Sequence, residues 1–295
     1  MKKKIKMIAL DLDGTTFTND KRITQHTKDV IQTAIAQGII VLPSTGRQFS
    51  GLPEEFLSIS GVSYAITSNG AAVVDTATEK PIYTNYIPYE LAASEMEKFL
   101  QEDVLVDIYA NGVCYIEQSM TARYEDFLTS QIQMDYFHKT RIPVKNLPEF
   151  IRNNRMDCEK FHILFHDDTL MNQLRKKYKK DSRFLATFAL SNNLELNAPT
   201  ADKGTALLAL ADHLGIPHEQ TMACGDSFND EAMLRKAGFS VAMGNAVAEM
   251  KEIYDVITKS NEEDGVAYAI ETYVLDFWFE IFSFYCNFNI SLGNI

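Results

Sequence analysis

Three short apolar runs near the N-terminus each stop at a cluster of small polar residues. Ile5 to Leu10 ends at Asp11-Leu12-Asp13-Gly14, Ile39 to Leu42 at Pro43-Ser44-Thr45-Gly46, and Tyr64 to Ile66 at Thr67-Ser68-Asn69-Gly70. Apolar runs this short, bounded by turn residues, read as buried strands. Between the first two lies Ile23 to Gln37, with Val30, Ile31, Ala34 and Ile35 at helical spacing and Gly38 as a stop. Strand, helix, strand, with polar residues where each strand ends, is the pattern of a parallel α/β sheet. In such sheets the ligand sits outside the carboxyl ends of the strands, so all three polar turns are expected at one edge.

The rhythm breaks and then returns. Val104 to Ile116 reads as a hairpin turning at Asn111-Gly112. Lys160 to Phe165 and Phe184 to Leu190 read as strands separated by a charged helix near Leu170 to Lys180. After this α+β stretch come a helix from Lys203 to His213, a strand Thr221 to Cys224, a helix Asn229 to Lys236 stopped by Gly238, and strands at Ser240 to Ala242 and Asp255 to Ile257. The expected organisation is a discontinuous core, residues 1–84 and 192–275, interrupted by an inserted unit at 85–191. That accords with a length of 295 residues at ~150 residues per domain.

Composition excludes several classes. Hydrophobic residues are 46% and charged residues 23%, so the chain is neither disordered nor collagen-like. A net charge of −12 opposes general nucleic-acid or anionic-membrane binding. The four cysteines, Cys114, Cys158, Cys224 and Cys286, are scattered without a C-x-x-C pair, as expected for reduced thiols in the cytosol rather than a zinc site. Lys2-Lys3-Lys4 could open a signal peptide, but the apolar stretch after it ends at Asp11, too soon for a secretory segment. No apolar run is long enough to span a bilayer.

The acidic clusters carry the chemistry. Asp11 and Asp13, two apart at a strand end, are expected to face one site. Two like charges buried together are costly without a cation. Gly225-Asp226-Ser227-Phe228-Asn229-Asp230 puts a second such cluster at the end of another strand. A helix cap would explain one aspartate there, but not two flanking carboxylates, so a hard-cation site outweighs the cap. Oxygen ligands with room for a phosphate select magnesium. Thr45 and the backbone N–H groups after it could hold a phosphate oxygen, and Lys203 could add a point charge. Taken singly, Thr45 is a turn residue and Lys203 a solvated helix start.

Together, Asp11-Leu12-Asp13-Gly14-Thr15, Thr45-Gly46-Arg47, Asp202-Lys203-Gly204 and Gly225-Asp226-Ser227-Phe228-Asn229-Asp230 resemble the haloacid dehalogenase (HAD) superfamily. Ser68-Asn69-Gly70-Ala71 and Met243-Gly244-Asn245-Ala246 extend the resemblance to its Cof-type phosphatases, over residues ~4 to 274. The resemblance implies a Rossmann-like core with an inserted α+β (type-2) cap. It implies Asp11 as nucleophile, Asp13 as acid and base, and Mg²⁺ held by Asp11, Asp13 (backbone carbonyl) and Asp226, with Asp230 in support. Thr45, Gly46, Lys203 and Asn229 would bind the phosphoryl group. Arg47 and Asn69 are candidates for substrate contact.

The expected function is Mg²⁺-dependent hydrolysis of small phosphorylated metabolites, such as sugar phosphates or phosphorylated cofactors, through an aspartyl-phosphate. Alternatives are a phosphomutase-type phosphotransferase and a non-enzymatic sugar-phosphate-sensing module. A cytoplasmic monomer or homodimer is expected. His162 and His166 lie four apart and could face one side of a strand, as a metal pair, as substrate contacts, or as residues of a half-exposed strand with no acidic partner evident. The tail at 276–295 is rich in aromatic residues and is expected to be a packed helix, a dimer contact or an interfacial helix.

Overall fold

The computed structural model describes residues 2–188, 190–248 and 254–275. The aromatic tail and Cys286 lie outside the described residues, as does Ala189.

Five parallel strands form the core sheet: β1 (Met7–Leu10), β2 (Ile40–Pro43), β12 (Thr221–Gly225), β13 (Phe239–Ala242) and β14 (Val256–Ile257), in the order β14-β13-β12-β1-β2. β1 is buried along its whole length, as a continuous apolar run in a covered parallel sheet should be. Its register brings three chain turns to one line: Leu10 pairs with Cys224 on one side and Pro43 on the other. Asp11, Asp226 and Thr45 therefore leave the sheet at the same edge. The first helix runs Gln25–Ala36, with Thr24 capping its N-terminus through Thr27 and Gly38 turning the chain at φ +81°.

The third apolar run departs from expectation. β3 (Tyr64–Thr67) is not a member of the parallel sheet. It pairs antiparallel with β4 (Ala72–Asp75), which pairs with β5 (Lys80–Thr84). The cause is local: Ser68, Asn69 and Gly70 adopt φ of +51°, +58° and +93° and fold the chain straight back. Only a single parallel bridge, Ser44 to Ile66, joins β3 to the strand beside it. That bridge is enough to hold the turn at the same edge, with the Thr45 N–H donating to the Ile66 carbonyl at 2.9 Å.

The inserted unit carries a six-stranded sheet in the order β10-β11-β9-β6-β7-β8. Its strands are β6 (Leu105–Ala110), β7 (Val113–Glu117), β8 (Arg141–Val144), β9 (Lys160–Leu164), β10 (Leu185–Thr187) and β11 (Asn193–Asn197). β6 and β7 turn at Asn111 and Gly112, both at positive φ, as a two-residue hairpin requires. β11 continues this sheet past residue 191, the limit drawn from the sequence; its pairing with β9 keeps it there. Helices Tyr89–Phe99 and Asp168–Tyr178 meet through the stacked rings of Phe99 and Tyr178. Apolar side chains form two clusters, one from residues 5–73 and 206–275, the other from 71–201.

The histidines have partners that the sequence did not reveal. His162 is buried and its Nδ1 lies 3.5 Å from Asp107, while His166 Nε2 lies 2.9 Å from Asp103. They do not share a site, and His162 does not lie on a half-exposed strand. Asp107 and His162 are 55 positions apart and meet only because β6 and β9 pair.

Asp107 also accepts from Arg141 at 3.0 Å, with both side chains only 1% exposed. Burial raises the Asp107 pKa, but Arg141 and then His162 outweigh it and bring it from 3.8 down to about 2. The folded value lies below the unfolded one, so this contribution is fully present above about pH 4 and is lost as pH falls through 2. Arg141→Met, which strands a buried carboxylate, is expected to cost ~3–5 kcal/mol in urea unfolding at neutral pH. A change below ~0.5 kcal/mol would contradict the burial of the pair.

Candidate active site

The site is built on the turn after β1. The Asp11 N–H donates to the Cys224 carbonyl at 3.0 Å, which holds the residue against the end of β12. Gly14, at φ +86°, turns the chain onward, and a Cβ there would stand 2.5 Å from Asp226 Oδ2. The two acidic turns thus approach as closely as a glycine allows. Thr15 donates to Asp226 Oδ1 at 3.0 Å.

Asp226 opens the turn after β12, where Asp230 acts as an internal brace. Its Oδ2 accepts from the backbone N–H groups of Asp226 and Ser227, each at 3.1 Å. Its Oδ1 takes the Lys203 ammonium at 2.6 Å, and the same ammonium reaches Asp11 Oδ1 at 2.6 Å. Lys203 begins the helix Lys203–His213, which Asp202 caps through the Thr205 N–H. It is fully buried, contrary to its reading as a solvated helix start.

Three carboxylates and one ammonium leave negative charge in excess. Oxygens of Asp11, Asp226 and Asp230 all lie within 4.8 Å of one another. Burial and then the Asp230 charge push the Asp11 carboxyl well above its usual range, although Lys203 opposes them. Asp226 is raised to about 6 by burial and then by Asp230. Burial alone would depress Lys203, but Asp11 and Asp230 outweigh it and hold the ammonium above the ordinary lysine value. An all-oxygen donor set with uncompensated charge fits a hard divalent cation such as Mg²⁺.

The loop after β2 closes the near side. Thr45 is buried, its hydroxyl accepts from the Arg47 N–H at 3.2 Å, and its carbonyl accepts from the Asn69 N–H at 3.0 Å. Asn229 Oδ1 accepts from the Ser227 hydroxyl at 2.6 Å, leaving its Nδ2 directed at Asn69 Oδ1, 3.4 Å away.

Known proteins share the family and the fold. Residues 8–270 match the family of haloacid dehalogenase-like hydrolases. The chain belongs to that family. It is 30% identical over 275 residues to the 5-amino-6-(5-phospho-D-ribitylamino)uracil phosphatase YcsE of Bacillus subtilis, covering 92% of this chain and 96% of the relative. The phosphatase YwpJ of the same organism is 27% identical, with 90% and 99% covered. A solved haloacid dehalogenase-like hydrolase from B. subtilis superposes with a TM-score of 0.80 at 26% identity, over 90% of this chain and 99% of that one. This haloacid dehalogenase-like hydrolase is therefore a Cof-type enzyme acting on phosphate esters.

Within the hydrolase, the expected residues divide into two groups. Asp11, Asp226, Asp230 and Lys203 converge directly. The Asp13 side chain does not join them. β1 ends at Leu10, so strand alternation no longer applies and the turn carries Asp13 to the rim. There it forms ion pairs with Arg47 at 2.9 Å and Lys21 at 2.8 Å. Burial opposes them, but Arg47 and then Lys21 hold the Asp13 carboxyl below its ordinary value. Arg47 also lies over the Tyr136 ring of the inserted unit, 5.5 Å from its centroid.

Asn69 already has partners within the fold. It is 3% exposed, and its Nδ2 donates to Glu195 Oε2 at 2.6 Å. Sequence reasoning missed Glu159, Lys160, Glu195 and Asn197, which bring the inserted sheet onto these loops. One signal was present: Leu194-Glu195-Leu196 alternates, placing a carboxylate on one strand face.

Gly225→Ala would set a Cβ 2.6 Å from the Cβ of Asp230, which four hydrogen-bond donors hold in place. The expected result is a loss of ~1–3 kcal/mol in stability with a fall in phosphatase rate. Unchanged melting and turnover together would contradict the tight approach of β12 to Asp230.

Proposed function

We propose that the protein hydrolyses small phosphorylated metabolites in the cytosol through an aspartyl-phosphate on Asp11, with Mg²⁺ as cofactor. The observation that carries this reading is the convergence of Asp11, Asp226 and Asp230 around the buried Lys203 ammonium at the sheet edge. Asp11, Asp226 and the Asp13 backbone carbonyl would hold the cation, braced by Asp230. When bound, Mg²⁺ supplies charge neutralisation for the phosphoryl oxygens.

The Asp11 carboxylate attacks phosphorus, and the ester P–O bond breaks. Asp13 delivers a proton to the departing alkoxide, then takes one from the water that attacks the phosphoenzyme. The acyl-phosphate P–O bond breaks in turn, which restores Asp11 and releases inorganic phosphate. Paired with Arg47 and Lys21, Asp13 is held as the carboxylate. Its acid role therefore requires the Arg47 and Lys21 contacts to loosen as substrate binds, and Arg47 at the rim is the candidate to meet the substrate. Thr45, the Gly46 N–H, Lys203 and Asn229 hold the phosphoryl oxygens in line.

The name of one relative supports a narrower substrate class. The phosphate sits on a polyol or sugar hydroxyl, as in the compound that names the B. subtilis relative. With p-nitrophenyl phosphate, Asp11→Asn is expected to abolish turnover while the melting temperature is kept, and EDTA to abolish wild-type turnover until Mg²⁺ is restored. Near-normal rates in Asp11→Asn would remove the nucleophile assignment. Asp13→Asn should slow turnover by ~10²–10⁴-fold. A panel of sugar and polyol phosphates, phosphoamino acids and aryl phosphates reads the substrate class; preference for phosphoamino acids or aryl phosphates would sink the polyol reading.

A further inference from the structure

The inserted sheet reaches the catalytic edge through four buried side chains. Lys160 Nζ donates to the Gly46 carbonyl at 2.6 Å and to Glu195 Oε1 at 2.8 Å. Glu195 Oε2 accepts from Asn69 Nδ2 at 2.6 Å. Glu159 Oε2 accepts from the Ser68 hydroxyl at 2.6 Å, and Asn197 Nδ2 donates to the Ser68 carbonyl at 2.8 Å. Each of the four is buried. A buried ion pair is a poor source of stability, because desolvation offsets the attraction. Its placement on two loops of the other unit calls for a different reason.

Orientation supplies one. An ionised carboxylate only accepts hydrogen bonds, so Glu195 draws the NH₂ end of the Asn69 amide toward itself. The Asn69 carbonyl oxygen must then face the opposite way, toward Gly46 and Asn229. It lies 2.8 Å from where a Gly46 Cβ would stand and 3.4 Å from Asn229 Nδ2. The backbone beneath it is strained, since Ser68 and Asn69 both occupy the left-handed region. Side chains of the inserted unit hold this turn on both residues.

We propose that Lys160 and Glu195 are positioning residues for phosphoryl transfer. They fix the Gly46 carbonyl and the Asn69 amide, and through them the Gly46 and Asn229 contacts to phosphate, so the grip is complete only while the inserted unit is seated. This rests on the phosphate-binding role given above to Thr45, Gly46, Lys203 and Asn229.

The test compares Lys160→Met, Glu195→Gln and the double variant Lys160→Met/Glu195→Leu with wild type, all with saturating Mg²⁺. The readouts are melting temperature, kcat and KM for p-nitrophenyl phosphate, and the competitive Ki of inorganic phosphate. Each single variant is expected to lower kcat/KM and raise the phosphate Ki by about 10-fold or more. The double variant, which removes both charges together, is expected to recover stability but not activity. Recovery of activity along with stability would overturn the proposal, because the pair would then be only a docking contact. Thr45→Ala, measured alongside, separates the two layers. If it raises Ki while the Lys160 and Glu195 variants stay within about two-fold of wild type, the positioning role alone fails. If Thr45→Ala leaves Ki unchanged, the reading of the phosphate grip fails and the positioning role fails with it.

Discussion

A single buried ammonium organises the catalytic edge. Lys203 Nζ stands 2.6 Å from both Asp11 and Asp230, with no exposure to water. Without it, three carboxylates from two strand ends would repel in a low-dielectric setting. With it, one ammonium still faces three carboxylates, and burial makes ionising all of them costly. The all-oxygen donor set of this edge fits a hard cation. Much of the surrounding architecture serves this packing: Gly14 and Gly225 let the chain approach the carboxylates more closely than a Cβ would permit. The net charge of −12 is thus matched locally by a carboxylate cluster, and a cation held there would offset it toward an anionic substrate.

The second dependence runs between the two clusters of the fold. The loops after β2 and β3 are shaped by strained backbone at Ser68 and Asn69 and by a glycine at 46. Strained segments persist where surrounding contacts over-determine them. Here those contacts come from β9 and β11 of the inserted sheet and from Glu159 beside it. The inserted unit is more than a cover, since its own side chains hold the loops it faces. Asp13 and Arg47 occupy the rim between the units, paired with each other and close to Tyr136.

Much of this was legible from residue order. The apolar runs marked β1, β2, β12 and β13, and Asn111-Gly112 marked the hairpin between β6 and β7. These are local signals, governed by burial and turn chemistry over a few residues. The departures have two causes, one local and one long-range. β3 was expected in the parallel sheet because its apolar run looks like the others; the left-handed turn at 68–70 sent it into an antiparallel one. β11 was assigned to the core because nothing local distinguishes a strand by the sheet it joins. His162 was expected to lack an acidic partner because Asp107 is distant in the chain.

By itself the sequence determined that carboxylates, a threonine and a lysine stand at strand ends and helix starts, since those positions follow from short-range periodicity. It also determined the family, because four motifs in order carry it. Only the tertiary structure decided which charges pair. Lys203 is buried between Asp11 and Asp230 instead of solvated, Asp13 turns to Arg47 and Lys21, and Asn69 is committed to Glu195. Pairing energies depend on distance and desolvation, and both are set by how strands far apart in the chain align. No local pattern encodes that alignment.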